Sequence, residues 1–170
     1  EPVGSRFKDK VKLKAYLVEE LGGLIFAYLG PTPAPLLPRY DILVWPGVRQ
    51  SWSAVLPCNW LQCQENSLDP VHVQWLHAYY SNHLIGSGQL PDGPRWTVRK
   101  HNKIAFEVFE HGMIKRRTYG PGADGQGETT ERDPEWTSGH PIVFPNILRV
   151  GSSFEYRVPI DDTHTLHVVY

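Results

Sequence analysis

Cys58-Asn59-Trp60-Leu61-Gln62-Cys63-Gln64-Glu65-Asn66-Ser67-Leu68-Asp69-Pro70-Val71-His72-Val73-Gln74-Trp75-Leu76-His77 is the stretch that decides how this chain is read. Inside it, Asp69, His72 and His77 form an Asp-x-x-His-x4-His cluster, set among residues suited to a buried helical segment. Imidazole is a common ligand for iron, zinc and copper, and two imidazoles with one carboxylate make a facial ligand set for ferrous iron. The spacing carries further information. Residues three apart share a helical face, so Asp69 falls close to His72. Residues five apart on an α-helix point about 140° away from each other. His72 and His77 therefore meet on one ion only if the helix bends or ends between them, or if the ion sits off its flank.

Pro70 belongs in a first helical turn, which predicts a break near Asp69, with Asp69 available as the cap. The break is the expected source of the bend. A zinc-protease reading fails, because it needs histidines four apart with Glu after the first, and Val73 stands there. By spacing alone, two histidines in such a segment are more often packing or surface residues than ligands, and Asp69 reads equally as a simple cap.

Resemblance sharpens this. Cys58 to Gln62, Glu65-Asn66, Asp69 to His72 and Trp75 to His77 resemble the mononuclear-iron motif of the Rieske non-haem iron oxygenases, in the phthalate-dioxygenase-like branch of their alpha subunits. Leu21-Gly22-Gly23-Leu24-Ile25-Phe26-Ala27-Tyr28-Leu29-Gly30-Pro31 and Val158-Pro159-Ile160-Asp161-Asp162-Thr163-His164-Thr165 agree in the family's order. The resemblance implies Fe(II) on His72 and His77, with Asp69 hydrogen-bonding between an iron ligand and a neighbouring subunit's cluster ligand. It places Asn66 near the iron, and His164, in the Asp-Asp-Thr-His motif, reads equally as a wall of the substrate pocket or as a structural hydrogen bond. It also implies an aromatic substrate, dioxygen, a reductase carrying electrons from NAD(P)H, and a homotrimer. The carboxylate ligand is expected beyond Tyr170; Asp161 and Asp162 are only makeshift candidates, more in keeping with a strand-end turn.

The implied electron-transfer centre is a [2Fe-2S] Rieske cluster, which needs two Cys and two His in its own domain. Cys58 and Cys63 are the only cysteines, and no Cys-x-His followed by Cys-x-x-His occurs. Both read as buried free thiols. The cluster is thus expected in the full-length protein and not in this chain, which resembles a piece truncated at both ends and inactive alone.

The 170 residues suit one domain, long enough to bury a sizeable core, and a net charge of −1 without basic blocks argues against nucleic acid. No apolar run approaches the roughly 20 residues of a membrane span. The N-terminus has no basic-then-apolar signal, so the cytoplasm is the default. Residues 1–30 read as the tail of the Rieske domain, 31–47 as a proline-rich linker, and 48–170 as part of the iron-site domain.

In order, Phe7 to Leu17 alternates as a strand, Leu24 to Leu29 is a buried strand, and Val48 to Leu56 is a third. Asn59 to Tyr80 is helical, and Ser81 to Trp96 is loop. Ile104 to Val108 and Met113 to Tyr119 form a hairpin, whose basic run Lys115-Arg116-Arg117 reads first as a solvated edge and second as a carboxylate-binding element. Gly120 to Ser138 reads as a mobile loop, and Ile142 to Val150, Phe154 to Val158 and Thr165 to Tyr170 as strands. The expected fold is α+β: an antiparallel sheet with helices on one side, an incomplete helix-grip domain. The rival readings are a metal-free helix-grip module for an apolar or aromatic ligand, and a small zinc hydrolase, which the lack of Glu beside either His disfavours.

Overall fold

A computed structural model describes residues 2–122 and 124–170, in two compact units, Glu1–Arg49 and Gln50–Tyr170. In the first unit, α1 (Phe7–Lys10) precedes the antiparallel pair β1 (Leu17–Leu21) and β2 (Leu24–Tyr28), and α2 (Asp41–Val44) comes after it. The alternation of Phe7 to Leu17 does not make a strand. Leu13 in that segment is 90% exposed, and the ladder with β2 begins only at Leu17. Alternation specifies a strand only where a neighbour and a core receive it.

The second unit holds β3 (Trp52–Leu56), α3 (Trp60–Leu68), a π-helical segment Val73–Tyr80, and α4 (Ser81–Gly86). Next come β4 (His101–Phe109), β5 (Gly112–Tyr119), α5 (Pro134–Thr137), β6 (His140–Val143), β7 (Ile147–Val150), β8 (Ser153–Pro159) and β9 (Thr165–Val169). The sheet is antiparallel throughout, in the order β3-β9-β8-β7-β6-β5-β4. Because β3 and β4 lie at opposite edges, the helical block between them in sequence must cross the sheet. It does so over one face, with α3 packed on β6, β7 and β8. The expected α+β arrangement is therefore present.

Three expectations need correction. Ser81 to Trp96 is not all loop: α4 occupies its start, and the remainder folds back on it. Asn82 donates from Nδ2 to the Trp96 carbonyl at 2.8 Å and accepts the Trp96 N–H at 3.0 Å. Ile142 to Val150 is two strands, because Phe144-Pro145-Asn146 interrupts the run and Pro145 has no N–H for a ladder. The segment after Tyr119 is tethered, since Arg99 Nη2 donates to the Gly127 carbonyl at 2.6 Å and α5 closes on β5.

Gly112, first residue of β5, faces the Ile142 carbonyl of β6 so closely that a Cβ there would overlap it. Gly112→Ala is expected to destabilise the domain by more than about 1 kcal/mol, read from urea unfolding.

Candidate functional site

The site starts where α3 ends. Asp69 leaves the helix in extended backbone conformation, and its carboxylate caps the next turn of chain. It accepts the Val71 N–H on Oδ1 at 2.8 Å and the His72 N–H on Oδ2 at 3.3 Å. Pro70 fits between them as a residue with no N–H to satisfy. The expected break at Asp69 is present, but it precedes both histidines and does not bring them together. The winding between them does. Val73–Tyr80 is a π-helix, whose hydrogen bonds run between residues five apart, so residues five apart stack on one face. His72 and His77 consequently stand with ring centroids 5.2 Å apart at 61°.

Asp69 Oδ2 lies 3.5 Å from Nδ1 of His72. That is within ion-pair range but out of hydrogen-bond alignment, and this buried Nδ1 has no hydrogen-bond partner. Burial pulls the His72 pKa below its ordinary value, Asp69 opposes this, and His77 and Lys115 add to the lowering. A neutral imidazole is the form that ligates metals. His77 is steadied on its other side by Trp96, at a centroid distance of 5.2 Å. Trp96 reaches this position through its two bonds to Asn82, a long-range contact with no local sequence signal.

Both histidines and Asn66 line a cavity of about 590 Å³ between the helical block and the sheet. Asp69 is not part of that wall. His164 is not on that wall either. Its Nδ1 lies 3.1 Å from Asp161 Oδ1 in a self-contained turn, where bonds from Thr163 and His164 hold the Asp161 carboxyl down to about 2. The Asp162 carbonyl accepts from Asn59 at 3.1 Å. Neither aspartate lines the cavity, and no group of three or more His, Cys, Asp or Glu suited to a metal occurs among the described residues. The chain thus brings together two imidazoles, with a carboxylate behind one of them.

The opposite wall was misread in the sequence. Alternation on β5 sends Lys115 and Arg117 to the cavity face and Arg116 to the other, where Arg116 pairs with Glu107 at 2.6 Å. The run is therefore no solvated edge: Lys115 is 4% and Arg117 8% exposed. His140, Glu155, Arg157 and His167 complete this wall from β6, β8 and β9. Burial, reinforced by Arg117, lowers Lys115 to about 8, and its Nζ donates to the Ser67 carbonyl at 2.7 Å. Cys58 and Cys63 are free thiols on the same cavity, with Sγ atoms 3.4 Å apart.

This chain, with its cross-sheet helical block, its histidine pair on the cavity side and the capping aspartate before them, is similar over most of its length to oxygenase subunits of Rieske dioxygenases, phthalate-dioxygenase-like ones among them. It is 46% identical over 164 residues to the 5,5'-dehydrodivanillate O-demethylase oxygenase subunit of Sphingobium sp. (strain NBRC 103272 / SYK-6), covering 96% of this chain and 36% of that protein. It is 29% identical to the phthalate 4,5-dioxygenase oxygenase subunit of Pseudomonas putida, covering 97% of this chain and 38% of that protein. With the phenoxybenzoate dioxygenase subunit alpha of Ectopseudomonas oleovorans the identity is 39%, over 96% of this chain and 42% of that protein. The chain thus spans well under half the length of these relatives. No family model matches it. Its fold is shared with the terminal oxygenase of carbazole 1,9a-dioxygenase from Nocardioides aromaticivorans IC177, at a TM-score of 0.60 and 19% identity, over 98% of this chain and 50% of that one. Among the described residues no helix is long and apolar enough to cross a membrane.

Lys115 gives a signed pH test. Its proton is lost near pH 8 in the fold against 10.5 as the ordinary value, so between these values the unfolded chain binds more protons. Stability contributed at this site is lowest below pH 8 and rises up to 10.5. Wild type is expected to gain on Lys115→Met across that window in urea midpoint, with no further relative gain above it.

Proposed function

We propose that this chain contributes the mononuclear iron site of an oxygenase that hydroxylates or O-demethylates an aromatic substrate. The observation that carries the reading is the pair of imidazoles five residues apart, placed side by side by π-helical winding on the wall of one cavity. The relatives support it: each is named as the oxygenase subunit or alpha subunit of an aromatic dioxygenase or O-demethylase.

The donor set fits ferrous iron in part. His72 and His77 would hold it through neutral imidazoles, and an iron bound there supplies the activation of dioxygen. With Nδ1 of His72 3.5 Å from Asp69 Oδ2, its Nε2 is the nitrogen left for the ion, and Asp69 stands behind the ring where a carboxylate commonly supports a ligand histidine. Trp96 holds the ring of His77 and offers an aromatic surface towards the substrate. In this reading Asp69 also faces a neighbouring subunit of a homotrimer, and electrons arrive from NAD(P)H through a reductase and a [2Fe-2S] Rieske cluster held elsewhere. Residues 1–30 are the tail of that cluster's domain, 31–47 the linker and 48–170 the iron-site portion, and the third iron ligand is a carboxylate outside the histidine pair.

Anaerobic titration with Fe(II) tests the reading. Uptake of about one equivalent by the chain, lost in the His72→Ala, His77→Ala double variant, is the expected result. Equal weak uptake by both proteins, together with tight binding of an aromatic ligand, would favour a metal-free binding module instead.

A further inference from the structure

Cys58 and Cys63, the only cysteines of the chain, are free thiols whose Sγ atoms lie 3.4 Å apart, one sharing its proton with the other. Backbone contacts on both sides hold the pair in place. Cys58 lies in the turn between β3 and α3, where its carbonyl accepts the hydroxyl of the fully buried Thr165 at 2.8 Å. Asn59, next in the chain, accepts the Leu61 N–H at 2.9 Å and donates to the Asp162 carbonyl at 3.1 Å. The turn is thus tied both to the helix start and to the segment before β9. Cys63 lies within α3, and its carbonyl accepts the Ser67 hydroxyl at 2.9 Å. Both cysteines are half-buried and line the cavity that His72 and His77 also line, so a small solute in that cavity meets them.

A disulfide brings two sulfurs to about 2 Å, so this pair has to close by about 1.4 Å. Burial and the neighbouring Cys58 push the Cys63 thiol up, while Arg157 and Thr165 pull the other way. Cys63 therefore keeps the shared proton, and Cys58 is the sulfur that reacts first. A Cys58 thiolate attacks hydrogen peroxide at oxygen: an S–O bond forms, the O–O bond breaks, and the departing hydroxide leaves as water once protonated. The sulfenic acid so formed would go on irreversibly to sulfinic acid if it stood alone. Beside Cys63 it condenses instead: the S–S bond forms, the S–O bond breaks, and a second water leaves. In sum the two thiols are oxidised to one disulfide while one peroxide is reduced to two waters.

We propose that Cys58 and Cys63 form a reversible oxidation site on the cavity wall, closed to a disulfide by hydrogen peroxide and reopened by thiol exchange. Peroxide is the two-electron reduction product of dioxygen, so dioxygen activated at an iron in the same cavity is a local source. That source rests on the oxygenase reading; the reactivity of the pair does not.

The test treats the folded, iron-free chain with hydrogen peroxide and follows it by intact mass and peptide mapping. The mass is expected to fall by about 2 Da, with Cys58 and Cys63 in one crosslink that dithiothreitol reopens. At equilibrium with dithiothreitol, the folded chain should favour the disulfide about tenfold or more over the urea-unfolded chain, because the fold holds the sulfurs together. Dimedone should trap a sulfenic acid on Cys58 in Cys63→Ser, and about tenfold less on Cys63 in Cys58→Ser. The wild-type readings stand whether or not these variants fold. Oxygen added to either sulfur without a crosslink, crosslinks only between chains, or equal disulfide stability in the folded and unfolded chain would overturn the site. So would thiols that survive while Met113, the single methionine, is oxidised. With no iron present, none of these outcomes bears on Fe(II) uptake, and failed uptake would remove the local peroxide source without removing the site.

Discussion

The iron site proposed for this chain depends on how one turn of helix is wound. On an α-helix His72 and His77 would diverge, and no ion could take both from one side. The wider π turn brings residues five apart into line, at the cost of weaker backbone geometry. Such a segment persists when its surroundings hold it. Here Asp69 caps the turn that leads into it, the Ser81 hydroxyl donates to the Leu76 carbonyl at 3.0 Å near its end, and Gln74 Oε1 lies 3.2 Å from Nδ1 of His101 on the sheet. The π turn and its anchors sit beside the two candidate ligands, where function gives a reason for them.

The sheet face under the helical block poses the complementary question. A fold that needed only to cover its sheet would use aliphatic side chains, as it does at Ile142 and Leu148. Burying Lys115, Arg117 and Arg157 instead is expensive, and pairing with Glu135 and Glu155 recovers only part of the loss. Ser67 at the end of α3 receives two of these cations, so the helix and the charged floor position each other. The same contacts that seat α3 on the sheet set the distance from the floor to the histidines beyond it in the chain.

Much of this was legible in the sequence, for physical reasons that differ by element. The β4–β5 hairpin and the strands of the C-terminal third alternate cleanly and are separated by Gly, Pro and Asp turns. The break at Asp69-Pro70 follows from proline's missing N–H. The π winding was not legible, because no residue type demands it and only its surroundings hold it. Lys115 and Arg117 were read as solvated because they are charged. Their period of two around Arg116 carried the better signal, one cation outward and two inward. Asp161, two residues before Thr163, describes a turn that closes on itself, and His164 joins it through Nδ1.

The most direct test of the central claim concerns the histidine pair itself. The chain would be loaded with Co(II) and its strongly shifted imidazole N–H resonances recorded by proton NMR. Two such resonances are expected, one lost in each of His72→Ala and His77→Ala. Inserting a single Ala between Trp75 and Leu76 should remove one as well, because it carries His77 off the shared face. An insertion variant that keeps both signals, or a wild type that shows none, would contradict the account.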